Sequence, residues 1–311
     1  MRYPAVQLVI PVYNEGAAVY KNVTAISGAL TARGVPHTFI MVDDGSRDGT
    51  WEELIRLKRD GAPLLALRLS RNFGKEAAIC AGLDAVTENY CVVMDSDLQH
   101  PPEIIPQMLD TLLKGGYDLV EGIKTDRGRE NILSMVFARV FYGLFRRLTG
   151  VDLRNASDFK LISLNVVRAW REMGDASTFF RGMINWVGFK SAKVPFKTAP
   201  RSGGGTKFSF IKLITLAVTA ITSFSTKPLY ITIFFGACFL AAALILGVQT
   251  LYKKLSGTAF TGFTTVILLQ LIIGSMLLIS IGTIGIYISK IYHEVKGRPR
   301  YIVAEITEED K

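Results

Sequence analysis

The first 122 residues alternate between short apolar runs and stretches with apolar residues at helical spacing. The apolar runs predict five strands, at residues 6–12, 38–43, 64–70, 90–95 and 118–122. The intervening stretches predict helices at residues 17–33, from residue 48 onward, at 75–86 and at 102–114. Strands that alternate with helices are typical of a mainly parallel sheet covered on both faces. The pattern therefore predicts an α/β domain.

Each of the first four predicted strands ends in a polar segment. These segments read PVYNE at 11–15, DDGS at 43–46, SRNFGK at 70–75 and DSD at 95–97. In open parallel sheets ligands bind outside the carboxyl ends of the strands, so four polar ends at one edge predict a binding site there. A carboxylate at a strand end can accept a hydrogen bond from a ribose hydroxyl or a base N–H, and Tyr13 can lie against a base ring.

Two carboxylates, Asp95 and Asp97, lie one residue apart in the segment MDSDLQHPPE. Side chains at i and i+2 of an extended chain point the same way, so both are expected to aim at one spot. Converging carboxylates repel unless a cation lies between them, and hard oxygen ligands suit Mg²⁺ or Mn²⁺. The alternative is a solvated turn in which Asp97 caps the next helix. The four polar strand ends favour a metal–diphosphate site, whereas His100 is predicted to be structural because no second histidine is near in sequence.

Beyond residue 122 the pattern changes to longer amphipathic stretches. In residues 131–149 the apolar positions recur every three or four residues, which predicts one helix with a continuous apolar stripe. That helix is either a core helix or one that lies in the bilayer interface, and residues 208–225 form a second interfacial candidate. Between them, the basic, glycine-rich segment 201–207 is either a flexible linker or a loop that closes over phosphates, with Arg201 and Lys207 as counter-charges.

The C-terminal third contains two long uncharged stretches. No charged residue occurs in 228–252 or in 255–289, and the mean hydropathy of the whole chain is +0.29. Because about 20 apolar residues cross a bilayer core, residues 226–290 are expected to form two transmembrane helices joined by a short turn. No signal peptide is visible ahead of the first strand. We therefore expect a cytosolic catalytic domain at 1–207 and a cytosolic tail at 291–311, in agreement with the basic residues of the tail.

The chain carries a formal net charge of +9, which suits an anionic membrane surface and anionic substrates. The basic residues are scattered and no nucleic-acid-binding motif occurs, so no nucleic acid partner is expected. The three cysteines, Cys80, Cys91 and Cys238, form no CxxC pair. Cys80 and Cys91 read as small apolar residues in a reducing compartment.

In this order, IPVYNE, VDDGSRDGT and MDSDLQHPPE resemble the family 2 glycosyltransferases of the GT-A fold. The segment SRNFGKEAA and the two C-terminal apolar stretches narrow the resemblance to the polyprenyl-phosphate glycosyltransferases, which include bactoprenol glucosyltransferases and dolichol-phosphate mannose synthase. The QxxRW motif of processive polysaccharide synthases does not occur, which argues against polymer synthesis. The resemblance covers nearly the whole chain. It implies a GT-A, Rossmann-like catalytic domain with interfacial helices and a C-terminal transmembrane hairpin.

The resemblance also assigns roles to residues of this chain. The nucleotide-binding residues would be Pro11, Tyr13, Glu15, Asp43, Asp44, Asp95 and Ser96. The residues that bind Mg²⁺ or Mn²⁺ would be Asp95, Asp97 and Gln99. The residues that bind phosphate and acceptor would be Lys75, Arg201 and Lys207. Asp158 falls where the family places its candidate catalytic aspartate, and Ser96 stands where many relatives have alanine, a small departure that leaves the metal site intact.

The activity implied is the inverting transfer of a hexose from a UDP-sugar to undecaprenyl phosphate, at the cytosolic face of a bacterial inner membrane, for modification of a cell-envelope glycan. Glucose is the first choice of sugar, while GDP-mannose or another UDP-sugar remains an alternative donor. A lipid hydroxyl is an alternative acceptor. A non-enzymatic flippase subunit is a poor alternative, because two spans make a poor translocation path and Asp95, Asp97 and Asp158 would be unneeded there. The protein is expected to span the bilayer more than once, and a homo-oligomeric state is left as an open alternative.

Overall fold

The computed structural model describes residues 3–125, 157–173, 187–197, 225–256 and 262–307, together with the single residues 143, 147, 180 and 222. The chain divides into two units, one comprising Met1–Lys207 with Arg298–Lys311 and the other Phe208–Gly297. Apart from four single positions, the segments predicted at 131–149, 201–207 and 208–225 lie outside the described residues.

The described elements of the first unit follow the predicted alternation. Its strands are β1 (Val6–Val12), β2 (His37–Asp43), β3 (Leu64–Leu69), β4 (Tyr90–Val93), β5 (Leu119–Lys124), β6 (Lys160–Ser163), β7 (Ser191–Phe196) and β8 (Val303–Ile306). Its helices are α1 (Ala18–Thr31), α2 (Thr50–Arg59), α3 (Lys75–Asp84), α4 (Ile105–Gly115), preceded by the 3₁₀ turn Pro102–Ile104, and α5 (Leu164–Glu172). The second unit contributes α6 (Lys227–Leu255) and α7 (Phe263–Val295).

The strands form one mixed sheet in the order β7-β5-β6-β4-β1-β2-β3-β8. The strands β1 to β4 are parallel to one another, and β7 is parallel to β5. Strand β6 runs antiparallel to β4 and β5, and β8 runs antiparallel to β3. All described strands except β6 and β8 therefore share one direction, which confirms the predicted mainly parallel α/β sheet.

Both faces of β1 are buried, because helices cover the sheet on both sides. Leu8 and Ile10 belong to a buried cluster with Ile26 of α1. Val9 faces α3, where a Cβ on Gly82 would lie 2.4 Å from Val9 Cγ1. A glycine at this position lets α3 approach the sheet closely, and the start of that helix is thereby held at the carboxyl edge of the parallel strands.

The pairing of β4 with β6 brings a distant segment to the same edge. Val93 pairs with Lys160, and two further steps along this antiparallel register place Asp158 opposite Asp95. The segment before β6 is also tied to β5, because Ser157 Oγ donates to the carbonyl oxygen of Gly122 at 2.5 Å. Register thus accounts for the meeting of two aspartates that lie far apart in sequence.

Residues beyond the second apolar helix return to the sheet. Strand β8 pairs with the outer side of β3, with Arg68 opposite Glu305 and Leu67 opposite Ile306. This segment was predicted as part of the tail, and no strand was predicted in it.

The helices α6 and α7 are long and apolar. Their mean hydropathies are 2.5 for Lys227–Leu255 and 2.2 for Leu269–Val295, and no part of their most apolar windows is buried within the protein. Each is longer than the roughly 20 residues that a bilayer core requires. By length and composition both can cross a membrane, which agrees with the predicted hairpin. Within this unit, the Tyr287 hydroxyl donates to the carbonyl oxygen of Ser225 at 2.6 Å.

Candidate active site

A cavity of about 330 Å³ lies at the carboxyl ends of the parallel strands. Residues predicted from the sequence to form the site account for most of its lining, namely Pro11, Tyr13, Glu15, Asp44, Lys75, Asp95, Ser96 and Asp97. Of the remaining predicted residues, Asp43, Gln99 and Asp158 lie in segments adjoining this lining, whereas Arg201 and Lys207 lie outside the described residues.

The loop after β1 is held by the loop after β2. The Ser46 hydroxyl accepts the N–H of Asn14 at 2.9 Å, and the Thr50 hydroxyl accepts the N–H groups of Glu15 and Gly16 at 2.9 Å each. These hydrogen bonds leave the Tyr13 side chain 44% exposed at the cavity, where its ring is free to lie against a planar ligand.

The two adjacent aspartates after β2 have different surroundings. Asp44 accepts the N–H groups of Phe73 and Gly74 at 2.7 and 2.9 Å, which ties this strand end to the loop after β3. Burial raises the pKa of Asp44, and these two hydrogen bonds oppose that shift. Asp43 is fully buried, and its Oδ1 accepts the N–H of Ser46 at 2.9 Å.

The other carboxylate oxygen of Asp43 has no hydrogen-bond donor among the described residues. Its nearest cation is Arg68, with Nε at 3.5 Å from Oδ2. A buried oxygen without a hydrogen bond is unusual, since such groups are costly to leave unpaired. A donor on a ligand that reached Asp43 Oδ2 would supply the hydrogen bond that this oxygen lacks.

Lys75 joins the DSD segment to the distant aspartate. Its Nζ lies 2.5 Å from Asp95 Oδ1 and 2.6 Å from Asp158 Oδ2. Burial alone would lower the pKa of Lys75, but the charges of the two carboxylates outweigh burial and raise that pKa. The lysine is thus a fixed positive charge at the cavity, and Asp158, itself only 3% exposed, is oriented by it.

The DSD segment does not have the extended geometry expected from the sequence. The strand β4 ends at Val93, and the chain turns at Ser96 and Asp97. The Asp97 carboxylate accepts the N–H of Gln99 at 3.0 Å, and Leu98 adopts a φ of 60°. The turn, rather than strand alternation, brings Asp95 and Asp97 to one cavity.

A third carboxylate adjoins this turn. Ser96 Oγ donates to Glu15 Oε1. The pKa of Glu15 is raised, first by burial and then by the negative charges of Asp97 and Asp95. This end of the cavity therefore carries a negative potential that favours a cation.

His100 has the structural role predicted for it. Its side chain is buried, its Nδ1 accepts the N–H of Asp95 at 3.1 Å, and its ring stacks on Phe159 with centroids 5.1 Å apart. Burial lowers the pKa of His100, so the imidazole is neutral and the proton lies on Nε2. The histidine fixes the backbone from which the Asp95 carboxylate projects.

The donor set fits a hard divalent cation. Asp95 and Asp97 present carboxylate oxygens to one cavity. The buried Nε2 of Gln99 has no hydrogen-bond partner among the described residues, but an amide nitrogen is a donor, so a metal contact of Gln99 would have to come from its Oε1. Such oxygen-rich sets suit Mg²⁺ and Mn²⁺. In the part of the chain that the structure describes, no group of three or more histidine, cysteine, aspartate or glutamate side chains is placed to hold a metal ion. Two carboxylates together with substrate phosphates are a common way to hold Mg²⁺, and Asp95 and Asp97 fit that pattern.

Two charged residues that contribute to the site were missed by the sequence analysis. Arg68 contacts Asp43 from the second-last position of β3, and Lys160 forms a buried ion pair with Glu121 at 2.5 Å beside the Asp158 segment. In both cases the available signal was a lone basic residue in an apolar strand sequence, LLALRL for β3 and KLIS for β6.

Comparison with known proteins identifies the family to which the chain belongs. Residues 7–157 match the sequence model of Glycosyl transferase family 2. Over 307 residues the chain is 34% identical to the prophage bactoprenol glucosyl transferase homolog of Escherichia coli (strain K12), with 97% of this chain and 99% of that protein covered. The chain belongs to glycosyl transferase family 2. It is a glycosyltransferase, and the resemblance found in its motifs is confirmed.

A further relative and a solved structure agree with this assignment. An uncharacterized glycosyltransferase of Synechocystis is 33% identical over 301 residues, with 96% of this chain and 94% of that protein covered. The crystal structure of glucosyl-3-phosphoglycerate synthase from Mycobacterium tuberculosis matches with a TM-score of 0.50 and 21% identity, covering 70% of this chain and 78% of that one. This likeness supports the GT-A fold of the glycosyltransferase.

Proposed function

We propose that this glycosyltransferase transfers a hexose, with glucose as the first choice, from a UDP-sugar to undecaprenyl phosphate with inversion at the anomeric carbon. The observation that carries the proposal is the single cavity in which Tyr13, Asp95 and Asp97 meet. The names of the relatives support the lipid carrier, because two matching proteins at 34% identity are a prophage bactoprenol glucosyl transferase homolog of Escherichia coli and a bactoprenol glucosyl transferase of Shigella phage SfII.

The nucleoside is assigned to the end of the cavity nearest β1 and β2. Tyr13 would lie against the base, and Asp43 Oδ2 would accept a hydrogen bond from a base N–H or a ribose hydroxyl. Pro11, Glu15, Asp44 and Ser96 would shape this end. The buried, unpaired oxygen of Asp43 supports this assignment, because a ligand donor would remove the cost of leaving it unsatisfied.

The diphosphate is assigned to the acidic end of the cavity. Asp95, Asp97 and Gln99 would hold Mg²⁺ or Mn²⁺, which would neutralise the charge on the leaving diphosphate. Lys75, anchored by Asp95 and Asp158, would offer a second positive charge to the phosphates. The divalent cation and Lys75 would together offset the repulsion between the diphosphate and the carboxylates.

The acceptor phosphate needs orientation more than deprotonation. A phosphate monoester has a second pKa near 6, so it is mostly dianionic at neutral pH and already nucleophilic. We assign its binding to Lys75, Arg201 and Lys207. Asp158 would orient the acceptor through these cations, a role supported by the hydrogen bond that its Oδ2 accepts from Lys75 at 2.6 Å.

The membrane unit would bring the lipid to the catalytic domain. Strand β7 precedes the apolar hairpin in sequence and β8 follows it, yet both belong to one sheet. The chain must therefore cross a bilayer an even number of times between them, and two crossings agree with α6 and α7. The basic residues of the tail favour the cytosolic side of a bacterial inner membrane for the sheet.

A panel of donors and acceptors tests this function. The full-length protein in detergent would be given Mn²⁺ and undecaprenyl phosphate with UDP-glucose, other UDP-sugars or GDP-mannose, and the lipid product would be identified by mass spectrometry. We expect turnover with UDP-glucose, and NMR of the product should show the anomeric configuration opposite to that of the donor. Undecaprenol and diacylglycerol serve as hydroxyl acceptors in parallel. Transfer to these but not to undecaprenyl phosphate would overturn the proposed acceptor, and turnover with GDP-mannose alone would overturn the donor.

A further inference from the structure

The segment that follows the membrane hairpin is joined to β3 from Ala66 onward and to the residue after this strand. At one end, Thr307 donates its N–H to the carbonyl oxygen of Ala66 at 2.9 Å, and its hydroxyl accepts the N–H of Ala66 at 2.9 Å. At the other end, the N–H of Ser70 donates to the carbonyl oxygen of Ile302 at 2.9 Å. The Tyr301 hydroxyl adds a 2.6 Å hydrogen bond to Asp84 of α3. The tail is therefore an integral strand of the catalytic domain.

The strand that the tail supports leads directly into the cavity. Ser70, the residue after β3 and the last one that the tail contacts, begins the loop whose Phe73 and Gly74 donate to Asp44. That loop ends at Lys75, which contacts Asp95 and Asp158. The backbone pairing of the tail thus reaches to within a few residues of the site.

A side-chain connection runs in parallel with the backbone pairing. Arg68 on β3 places Nη1 at 2.9 Å from Glu305 Oε1 and Nε at 3.5 Å from Asp43 Oδ2. Its Nη2 donates to the carbonyl oxygen of Ser46 at 3.4 Å, and its guanidinium lies 5.6 Å from the centre of the Trp51 ring. Of these contacts the one with Glu305 is the shortest, and it holds the guanidinium from the side of β8.

We propose that Glu305 is a positioning residue of the nucleotide site, which restrains Arg68 so that Asp43 Oδ2 stays available to the nucleoside. The inference rests on the proposed function, in which Asp43 contacts the nucleotide. It makes donor affinity depend on a strand that the chain reaches only after the membrane hairpin.

The direction of the effect follows from the charges around Arg68. The Asp43 side chain is fully buried, whereas the Glu305 side chain is 52% exposed and the Arg68 side chain 27% exposed. Without the carboxylate of Glu305, Asp43 is the one anionic partner that the described contacts leave to the guanidinium. Shortening this 3.5 Å ion-pair contact would add a hydrogen bond from Arg68 to Asp43 Oδ2 and occupy the acceptor that the nucleoside needs.

The substitution Glu305→Gln tests the proposal in the full-length protein. We expect the Kd for UDP with Mn²⁺, measured by calorimetry in detergent, and the KM for the donor to rise about 1.5- to fivefold, the range for a partly exposed ion pair. The kcat should change little, because Glu305 contacts neither the acceptor nor the metal-binding turn. Glu172→Gln removes the same charge from an exposed position on α5 and should leave both constants unchanged. Equal affinities for Glu305→Gln and the unsubstituted protein would overturn the proposal.

A double substitution tests the route through Arg68. If Glu305 acts through this arginine, Glu305→Gln should have no further effect on UDP affinity when combined with Arg68→Gln. The same loss in both backgrounds would show that Glu305 acts in another way and would overturn the positioning role. Glu305→Asp keeps the charge and should restore part of the affinity.

Amide hydrogen exchange in the ligand-free protein separates this inference from the proposed function. Removing residues 301–311, or substituting Glu305→Gln, should speed the exchange of residues 43–46 and 70–74 relative to Glu172→Gln. Unchanged exchange in both variants would overturn the inference whether or not the protein binds UDP. Failure of the unsubstituted protein to bind any uridine nucleotide, with faster exchange in the variants, would overturn the proposed function alone.

Discussion

Acidic side chains outnumber basic ones in the lining of the cavity that the structure describes. Glu15, Asp44, Asp95 and Asp97 carry negative charge there, and Lys75 carries the positive charge. Asp95 already pairs with Lys75, and Asp44 already accepts hydrogen bonds from backbone N–H groups. A diphosphate can enter such a cavity only with additional positive charge, so the proposed chemistry depends on a divalent cation.

The substitution Asp97→Ala tests this dependence. Asp97 is exposed at a turn and is not part of the core, so the variant should fold normally. We expect turnover to fall by more than about 100-fold, as happens when a charge-stabilising group is removed from a reacting centre. Turnover and the thermal unfolding midpoint would be measured together, with Asp110→Ala on the exposed side of α4 as control. Full activity of the unsubstituted protein in excess EDTA would contradict the metal assignment.

Substitutions of Asp158 can distinguish a role in orienting the acceptor from a role as general base. Asp158→Asn keeps the shape and can still accept a hydrogen bond from Lys75, but it cannot take up a proton. If orientation dominates, Asn should retain measurable activity, Ala should do worse, and the rate of the unsubstituted protein should follow ionisation of the acceptor near pH 6. A pH–rate profile for each variant provides the measurement. Inactivity of Asn equal to that of Ala, with a rate that follows a carboxylate pKa, would identify a general base and favour a hydroxyl acceptor.

At the residue scale the sequence predicted which side chains would meet, but not how they interact. The strand-end rule brought Tyr13, Asp95 and Asp97 to one cavity, because parallel strands share a carboxyl edge. It could not show that Lys75 bridges Asp95 and Asp158, since that contact depends on the register of the antiparallel strand β6. Strand registers between distant segments are set by packing and are not visible in a local pattern.

Among the elements, the loops after β2 and β3 are packed against each other at Gly45. This glycine has a φ of +68°, and a Cβ on it would lie 2.4 Å from the carbonyl carbon of Arg71 and 2.8 Å from the nitrogen of Asn72. Those atoms belong to backbone, which cannot rotate away as a flexible side chain could. The two loops can therefore hold Asp44 against Phe73 and Gly74 only if position 45 carries no side chain.

The substitution Gly45→Ala should separate these loops. The left-handed backbone alone costs an alanine about 1–2 kcal/mol, and the contact with Arg71 adds to that cost. We expect a lower thermal unfolding midpoint and a UDP affinity weakened by about tenfold or more. Gly28→Ala is the matched control, because this exposed position on α1 has open space around it and gains helix propensity. A Gly45→Ala variant with the stability and UDP affinity of the control would contradict the packing argument.

The helices and strands that could be predicted are those with a clear pattern of apolar residues in their own sequence. Strands β1 to β5 and helices α1 to α4 were all predicted, most within two residues at each end, because apolar runs of strand length alternate there with helical periodicity. Strand β8 has only four residues, VAEI, and most of them are exposed at the edge of the sheet. So short an edge strand has little pattern, and its existence depends on β3 as a partner.

For the whole molecule, the position of β8 determines which fragment can stand alone. A chain of residues 1–207 lacks β8 and exposes the edge of β3, an edge prone to association. The same chain joined to residues 298–311 by a flexible Gly/Ser linker of about 20 residues keeps the strand. We expect the linked form to unfold at the higher temperature and to bind UDP with Mn²⁺ more tightly, both measured in detergent. Equal stability and affinity of the two forms would contradict a structural role for the tail.

The membrane topology can be tested with two introduced cysteines, because the sheet constrains both ends of the hairpin. Strands β7 and β8 lie in one sheet, so the start of α6 and the end of α7 are expected on the same side of the bilayer, and the turn between the helices on the other. Of the native cysteines only the exposed Cys238 needs replacing by alanine, since Cys80 and Cys91 are fully buried and burial raises the pKa of the Cys91 thiol. A membrane-impermeant thiol reagent applied to intact cells should then label Ser256→Cys, after α6, and should label Lys296→Cys only after the cells are opened. Labelling of both in intact cells, or of neither, would contradict two crossings. The reverse pattern would keep two crossings but place the sheet outside, where a cytosolic nucleotide sugar could not reach it.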